Sequence, residues 1–229
     1  MNSSTRRRLG VIGSACVLLL LGLALPAQAD GPNLVTNGDF ADPVVTTSQR
    51  LSTLPGWTLI DDDAEVISGD FFSVPAGSAA GAQLLDLNTN TNTSIEQSVP
   101  TVAGHTYQLT FHMAGNPTRN GVVDGTLSVD RSVVQTLSFD TTGHTRSDLG
   151  WVSVNHTFTA TSDSTAINFQ STTPGGSGLL LTNIAVVDLD PDGVPMADSS
   201  IALLAGGAVV VAAGAGAVVV VRRRQRQLA

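Results

Sequence analysis

Thr106-Tyr107-Gln108-Leu109-Thr110-Phe111-His112-Met113 decides the fold class. Tyr107, Leu109, Phe111 and Met113 alternate without a break against Thr106, Gln108, Thr110 and His112. A period of two belongs to a strand with one face in a core and the other wet. Residues 151–158 repeat the pattern, with Val152, Val154, His156 and Phe158 on one face and Trp151, Ser153, Asn155 and Thr157 on the other. Near the end of this region Leu180, Ile184 and Val186 mark an inward face. Further strands are expected at 57–60, 64–67, 82–87, 94–99, 126–130, 133–139 and 165–169, between clusters of Gly, Pro, Asn and Asp. No helical periodicity competes, so residues 30–187 predict an all-β, two-layer sandwich with one core.

Outward from the sandwich, the ends are of different character. Residues 1–29 read as a secretory signal peptide: Arg6, Arg7 and Arg8, an apolar run over 11–25, then Ala27-Gln28-Ala29, with cleavage between Ala29 and Asp30. The rival reading is an uncleaved anchor. Lipidation at Cys16 lacks the aliphatic residue three positions earlier, where Gly13 stands. After residue 187 an acidic, Pro-containing stalk covers 188–200, and residues 201–221 hold no charged or strongly polar side chain. As a helix at ~1.5 Å per residue they span ~31 Å, the thickness of a bilayer core. Arg222, Arg223, Arg224 and Arg226 follow at once, and the positive-inside rule holds such a tail, 222–229, in the cytoplasm. The expected location is the cell membrane, in a single pass, with the N-terminal domain extracellular.

Charge sorts by the same boundaries. The chain has 11 basic residues, all arginine, and 19 acidic ones. Every acid lies between Asp30 and Asp198 with only Arg50, Arg119, Arg131 and Arg146 beside them, 4 against 19, a net −15 for that stretch. Such a domain repels a polyanion, so no nucleic-acid partner is expected. Lacking any lysine, the chain excludes Schiff-base chemistry and a P-loop. The single cysteine, Cys16, sits in the signal segment, so thiol catalysis and zinc–thiolate sites are excluded from the mature domain.

Ordered strings carry more than periodicity does. Asn33-Leu34-Val35-Thr36-Asn37-Gly38-Asp39-Phe40, Pro55-Gly56-Trp57, Leu85-Asp86-Leu87-Asn88, Gly104-His105-Thr106-Tyr107 running into Ala114-Gly115-Asn116-Pro117, and Gly150-Trp151 with Phe158-Thr159-Ala160 occur in sequence. This set resembles the choice-of-anchor C family, bacterial surface proteins related to plant cell-wall proteins with galactose-binding-like jelly-roll domains, over residues 33–187. The resemblance implies a jelly-roll sandwich, a role at the cell surface and recognition of polysaccharide. It also implies a C-terminal anchor, here the helix with its arginine tail, since Val194-Pro195-Met196-Ala197-Asp198 keeps only the proline of a sortase signal. Related jelly rolls often hold structural calcium. Here Ala41 follows Phe40 and Thr182-Asn183 stands where an aspartate pair is expected, which speaks against that site. Asp188, Asp190, Asp192 and Gly193 mimic the start of an EF-hand loop, but Pro191 and Ser199 occupy its fourth and twelfth positions. No metal ligand and no cofactor is assigned.

His105, His112, His144 and His156 show no metal or catalytic spacing, and Gly175-Gly176-Ser177-Gly178 is the nearest approach to a nucleophile elbow. With 19 acids, some carboxylate pair will lie at a glycosidase spacing by chance. The domain is therefore expected not to be an enzyme. Sugar binding needs aromatic faces, for which Trp57, Phe71, Phe72 and Trp151 are candidates, each with an equal structural reading as core. Asp86, Asn88 and Asn116 are candidates for bonding hydroxyls, or for fixing turns. Trp57, Phe71, Asp86 and Asn116 form the candidate carbohydrate site. The leading expectation is a membrane-anchored bacterial surface protein whose extracellular domain binds cell-envelope or environmental polysaccharide without catalysis. Its rival is a structural or adhesive surface protein that binds protein partners and has no sugar site.

Overall fold

A computed structural model describes residues 31–61 and 63–190. The expected signal peptide with its Ala29/Asp30 cleavage site, the expected stalk beyond residue 190, the apolar segment 201–221 and the arginine tail all lie outside the described residues. Among the described residues there are eleven strands: β1 (Ser48–Leu51), β2 (Thr58–Ile60), β3 (Ala64–Ser68), β4 (Gln83–Asp86), β5 (Ser94–Pro100), β6 (Thr106–Gly115), β7 (Val122–Val129), β8 (Ser132–Asp140), β9 (Val152–Thr159), β10 (Ser164–Ser171) and β11 (Leu179–Asp188). One sheet runs β1-β3-β4-β11-β6-β9 and the other β2-β5-β10-β7-β8, with every pairing antiparallel. Most connections cross from one sheet to the other; β3–β4 and β7–β8 are the two that stay within a sheet. The result is a two-sheet, jelly-roll-like sandwich.

The alternation in β6 sets the core. Tyr107, Leu109 and Phe111 are buried, and the Phe111 ring meets Phe169 of β10 edge-on at 4.9 Å between centroids, tying sheet to sheet. Antiparallel partners share a face, so Val154 and Phe158 of β9, opposite Phe111 and Tyr107, point inward as well. Tyr107 stacks on Phe158 at 5.5 Å, and its hydroxyl accepts a hydrogen bond from the Val102 amide at 2.8 Å.

Two features depart from the expected pattern. Strand β1 was not anticipated: Ser-Gln-Arg-Leu is an exposed edge with no apolar face to mark it. In β11 the register against β6 shifts between Thr182 and Ala185, with Asn183 at φ 53°. Such a bulge turns over the side chains beyond it. Val186, opposite Leu109, therefore points into the core, whereas Leu180, opposite Ala114, shares the outward face with His112. The expectation of one inward face for Leu180, Ile184 and Val186 is corrected accordingly. Leu180 is nonetheless fully buried, as are Leu84 and Ala114 on the same outward side. The long β3–β4 loop returns to this side: the Ser78 hydroxyl accepts a hydrogen bond from Asn183 Nδ2 at the bulge, 2.7 Å.

Candidate functional site

Two loops stand over the outward face of β6 and β9. The β3–β4 loop (69–82) supplies Phe71, Phe72 and Ser73; the β8–β9 loop (141–151) supplies Arg146, Asp148 and Trp151. The Ser73 amide donates to the Arg146 carbonyl at 2.8 Å, and Trp151 Nε1 donates to the Ser73 carbonyl at 2.8 Å. Ser73 is thus the strut that joins the loops. Gly150 lets the second loop turn: its φ is +66°, and a β-carbon there would run into the His144 ring, which packs on Phe139 at 5.2 Å.

Two depressions open around the strut. The first, about 460 Å³, has His112 and Ser153 on its sheet side and Ser73, Asp148 and Trp151 among its loop residues. The second, about 540 Å³, is lined by Asp70, Phe71, Thr145 and Arg146, and shares Ser73 and Ser147 with the first. Phe71 is 38% exposed and lies on buried Phe72 in an offset stack, 5.3 Å between centroids. The Arg146 guanidinium carbon sits 4.6 Å from the Phe71 centroid and 5.3 Å from that of Phe72, within cation–π range. Burial holds His112 below the usual histidine range, and its Nδ1 is enclosed without a hydrogen-bond partner. An exposed aromatic edge, a half-buried indole, hydroxyls and two carboxylates suit a polar ligand with apolar faces. Among the described residues no group of three or more His, Cys, Asp or Glu is arranged to hold a metal ion.

The four sequence candidates fall in three places. Phe71 alone lies in this groove. Trp57 is 6% exposed, its ring set between Phe40 and Phe169 at 6.0 and 6.5 Å and its Nε1 donating to the Asn37 carbonyl, so it is part of the core. Asp86 and Asn116 do meet, but away from solvent: Asn116 Nδ2 donates to Asp86 Oδ2 at 2.7 Å, while the amides of Asn88 and Gly178 donate to Oδ1 at 2.9 and 3.0 Å. Asp86 is completely buried and Asn116 nearly so. Asn88 continues the network by donating to the Thr173 and Gly175 carbonyls at 2.7 and 2.6 Å. These groups pin three loops together, the turn-fixing role rather than the ligand role. Burial pushes the Asp86 carboxyl up to about 7 against the lowering effect of its Asn116 and amide bonds, with a further raising contribution from Glu65. Arg146, Asp70, Asp148 and His112 escaped sequence reasoning; the alternation that placed His112 on the wet face was the one signal for them.

Comparison with known proteins gives a family and a set of structural likenesses. Residues 33–182 match the family described as "Protein of unknown function (DUF642)". No curated protein matches the chain. A family 35 carbohydrate binding module from Clostridium thermocellum is similar with a TM-score of 0.41 and 13% identity, over 62% of this chain and 98% of that one. The CBM35 from Paenibacillus barcinonensis overlays with a TM-score of 0.39 and 21% identity, over 62% and 98% of the two chains. The enzymatically active domain of tailspike protein 4 from bacteriophage CBA120 gives 0.43 and 15%, over 68% of this chain and 21% of that one.

Proposed function

We propose that this chain, which belongs to the DUF642 family, is a cell-surface glycan-binding protein of the choice-of-anchor C kind. In this reading the sandwich stands outside the cell, residues 201–221 cross the membrane, and the groove between the β3–β4 and β8–β9 loops takes polysaccharide without cleaving it. The observation that carries it is the pair of adjoining depressions, one holding exposed Phe71 and the other half-buried Trp151, that meet at Ser73 and Ser147. Sugar rings have apolar faces for the aromatics and hydroxyl rims for Ser147, Ser153, Asp70 and Asp148. Asp86, whose carboxyl burial raises, is sealed from solvent and so is not the general acid that glycosidic cleavage would need.

The test is retention of the full chain, in mild detergent, on a panel of immobilised polysaccharides. At least one polymer should retain it without release of reducing ends, and Phe71→Ala should weaken that retention by on the order of tenfold, the loss of one aromatic anchor. Failure to bind any polymer would overturn the reading and leave a surface role through protein contacts. Release of reducing ends would show an enzyme.

A further inference from the structure

Charge in the groove is unevenly placed. Asp70 and Arg146 line one depression, Asp148 and His112 the other. Among the described residues Arg146 is bridged to neither carboxylate, and the His105–Asp188 ion pair lies outside both depressions. Its guanidinium instead lies over Phe71 and Phe72. Burial keeps His112 towards its neutral form, so the exposed charges of the groove are Asp70 and Asp148 against Arg146, which keeps its charge on the aromatic face, an excess of one carboxylate.

We propose that Asp70 and Asp148 make this groove selective for uncharged glycans: they accept hydrogen bonds from sugar hydroxyls and repel a carboxylate on the ligand. The proposal rests on the glycan-binding reading above and narrows its ligand class. An ionised carboxylate is an acceptor only, so it welcomes a hydroxyl donor in a short, charge-assisted bond and has nothing to offer a uronate oxygen. Two such groups, one in each depression, meet a ligand chain wherever it enters. The stretch from Asp30 to Asp198 as a whole, 4 arginines against 19 acids, adds a field of the same sign, screened beyond ~8 Å at physiological salt. Selectivity that survives such screening has to come from groups inside the groove.

Matched polymers isolate the charge, since dextran differs from carboxymethyl-dextran, and hydroxyethyl-cellulose from carboxymethyl-cellulose, mainly in the carboxylates. With the full chain, the neutral member of a pair should be retained on the order of tenfold better than its carboxymethylated counterpart at low salt. In Asp70→Asn/Asp148→Asn that ratio should fall to about two. Asp124→Asn/Asp163→Asn removes the same charge from exposed positions outside both depressions and should leave the ratio within about twofold of the original. Equal or better retention of the carboxymethylated polymer by the unmodified chain would overturn the proposal. So would a control variant that closes the gap as far as the groove variant does. If neither member of either pair is retained while another polysaccharide is, the same ratio is read on that polymer before and after carboxymethylation. Absence of retention on every polymer overturns the glycan-binding reading itself, and this proposal with it.

Discussion

A carboxyl that accepts three hydrogen bonds and still titrates near neutrality shows desolvation outweighing bonding at one residue. Asp86 is fully buried, its bonds to Asn116, Asn88 and Gly178 all favour the anion, and its proton is nevertheless held up to about 7. The folded state therefore binds a proton that the unfolded chain, with an ordinary carboxyl near 3.8, has released over the interval between them. Stability from this group is fully present below pH ~4 and drains away as pH rises to ~7, by a few kcal/mol at most. Asp86→Asn carries no titrating group there. Its amide oxygen can keep the Asn88 and Gly178 bonds, but its NH₂ faces the Asn116 NH₂, which should cost about 1 kcal/mol at pH 5. Denaturant midpoints at pH 5 and pH 8 should show a fall with rising pH that is smaller in the variant than in the parent. Identical falls in both would sink this account of Asp86. The same residue explains part of what sequence could not show about the site. Asp86 and Asn116 stand in strings that suit either a ligand or a turn, and the choice depends on Gly178, distant in sequence, closing over them. Phe71 was legible as one of four candidate aromatics; its partner Arg146, on another loop, leaves no mark in the local pattern.

Elements were legible where side chains alternate and obscure where the backbone departs from the ladder. β6 and β9 follow from period-two patterning because one face of each is core. β1, an exposed edge, has no such face, and the apolar run Leu179-Leu180-Leu181 suits both faces of β11, so the bulge at Asn183 that separates Leu180 from Val186 gives no signal. The β7–β8 hairpin is another such departure. Its two-residue turn places Asp130 at φ 47° and Arg131 at φ 65°, the left-handed pair of a type I′ turn, where Asn-Gly is the favoured sequence. Asp130 has a reason to be there, since its side chain accepts a hydrogen bond from the Ala166 amide at 2.9 Å. Arg131 has only an exposed side chain to set against the left-handed conformation. Arg131→Gly should relieve ~1–2 kcal/mol of backbone strain and return ~0.5–1 kcal/mol in chain entropy, a net gain of about 0.5–1 kcal/mol. For a domain of this size that is roughly a 1–4 °C rise in thermal midpoint. A lowered midpoint would mean that Arg131 makes a stabilising contact stronger than the strain.

At the scale of the whole molecule, charge and hydropathy give an order along the chain: basic start, acidic sandwich, apolar segment, basic end. The proposed topology turns that order into compartments, with 19 carboxylates on one side of a bilayer and Arg222, Arg223, Arg224 and Arg226 on the other. The stalk over 188–200 is where the two ought to be separable, because it contains Asp188, Asp190, Asp192 and Asp198 and no basic residue. Trypsin has no site in it, and the arginines of the sandwich lie on an edge strand or in loops and turns, where a cut does not release the domain. A protease that cleaves before aspartate has sites at Asp192 and Asp198, beyond the last strand, whereas the strands of the sandwich are hydrogen-bonded sheet, and local opening governs which is cut first. Applied to intact cells carrying an epitope after Ala229, it should release the sandwich into the medium and leave the epitope cell-associated and uncut. Trypsin at matched activity should release far less. Loss of the epitope from intact cells, or release of the sandwich only after lysis, would reverse the orientation and with it the case for a surface-displayed glycan-binding domain.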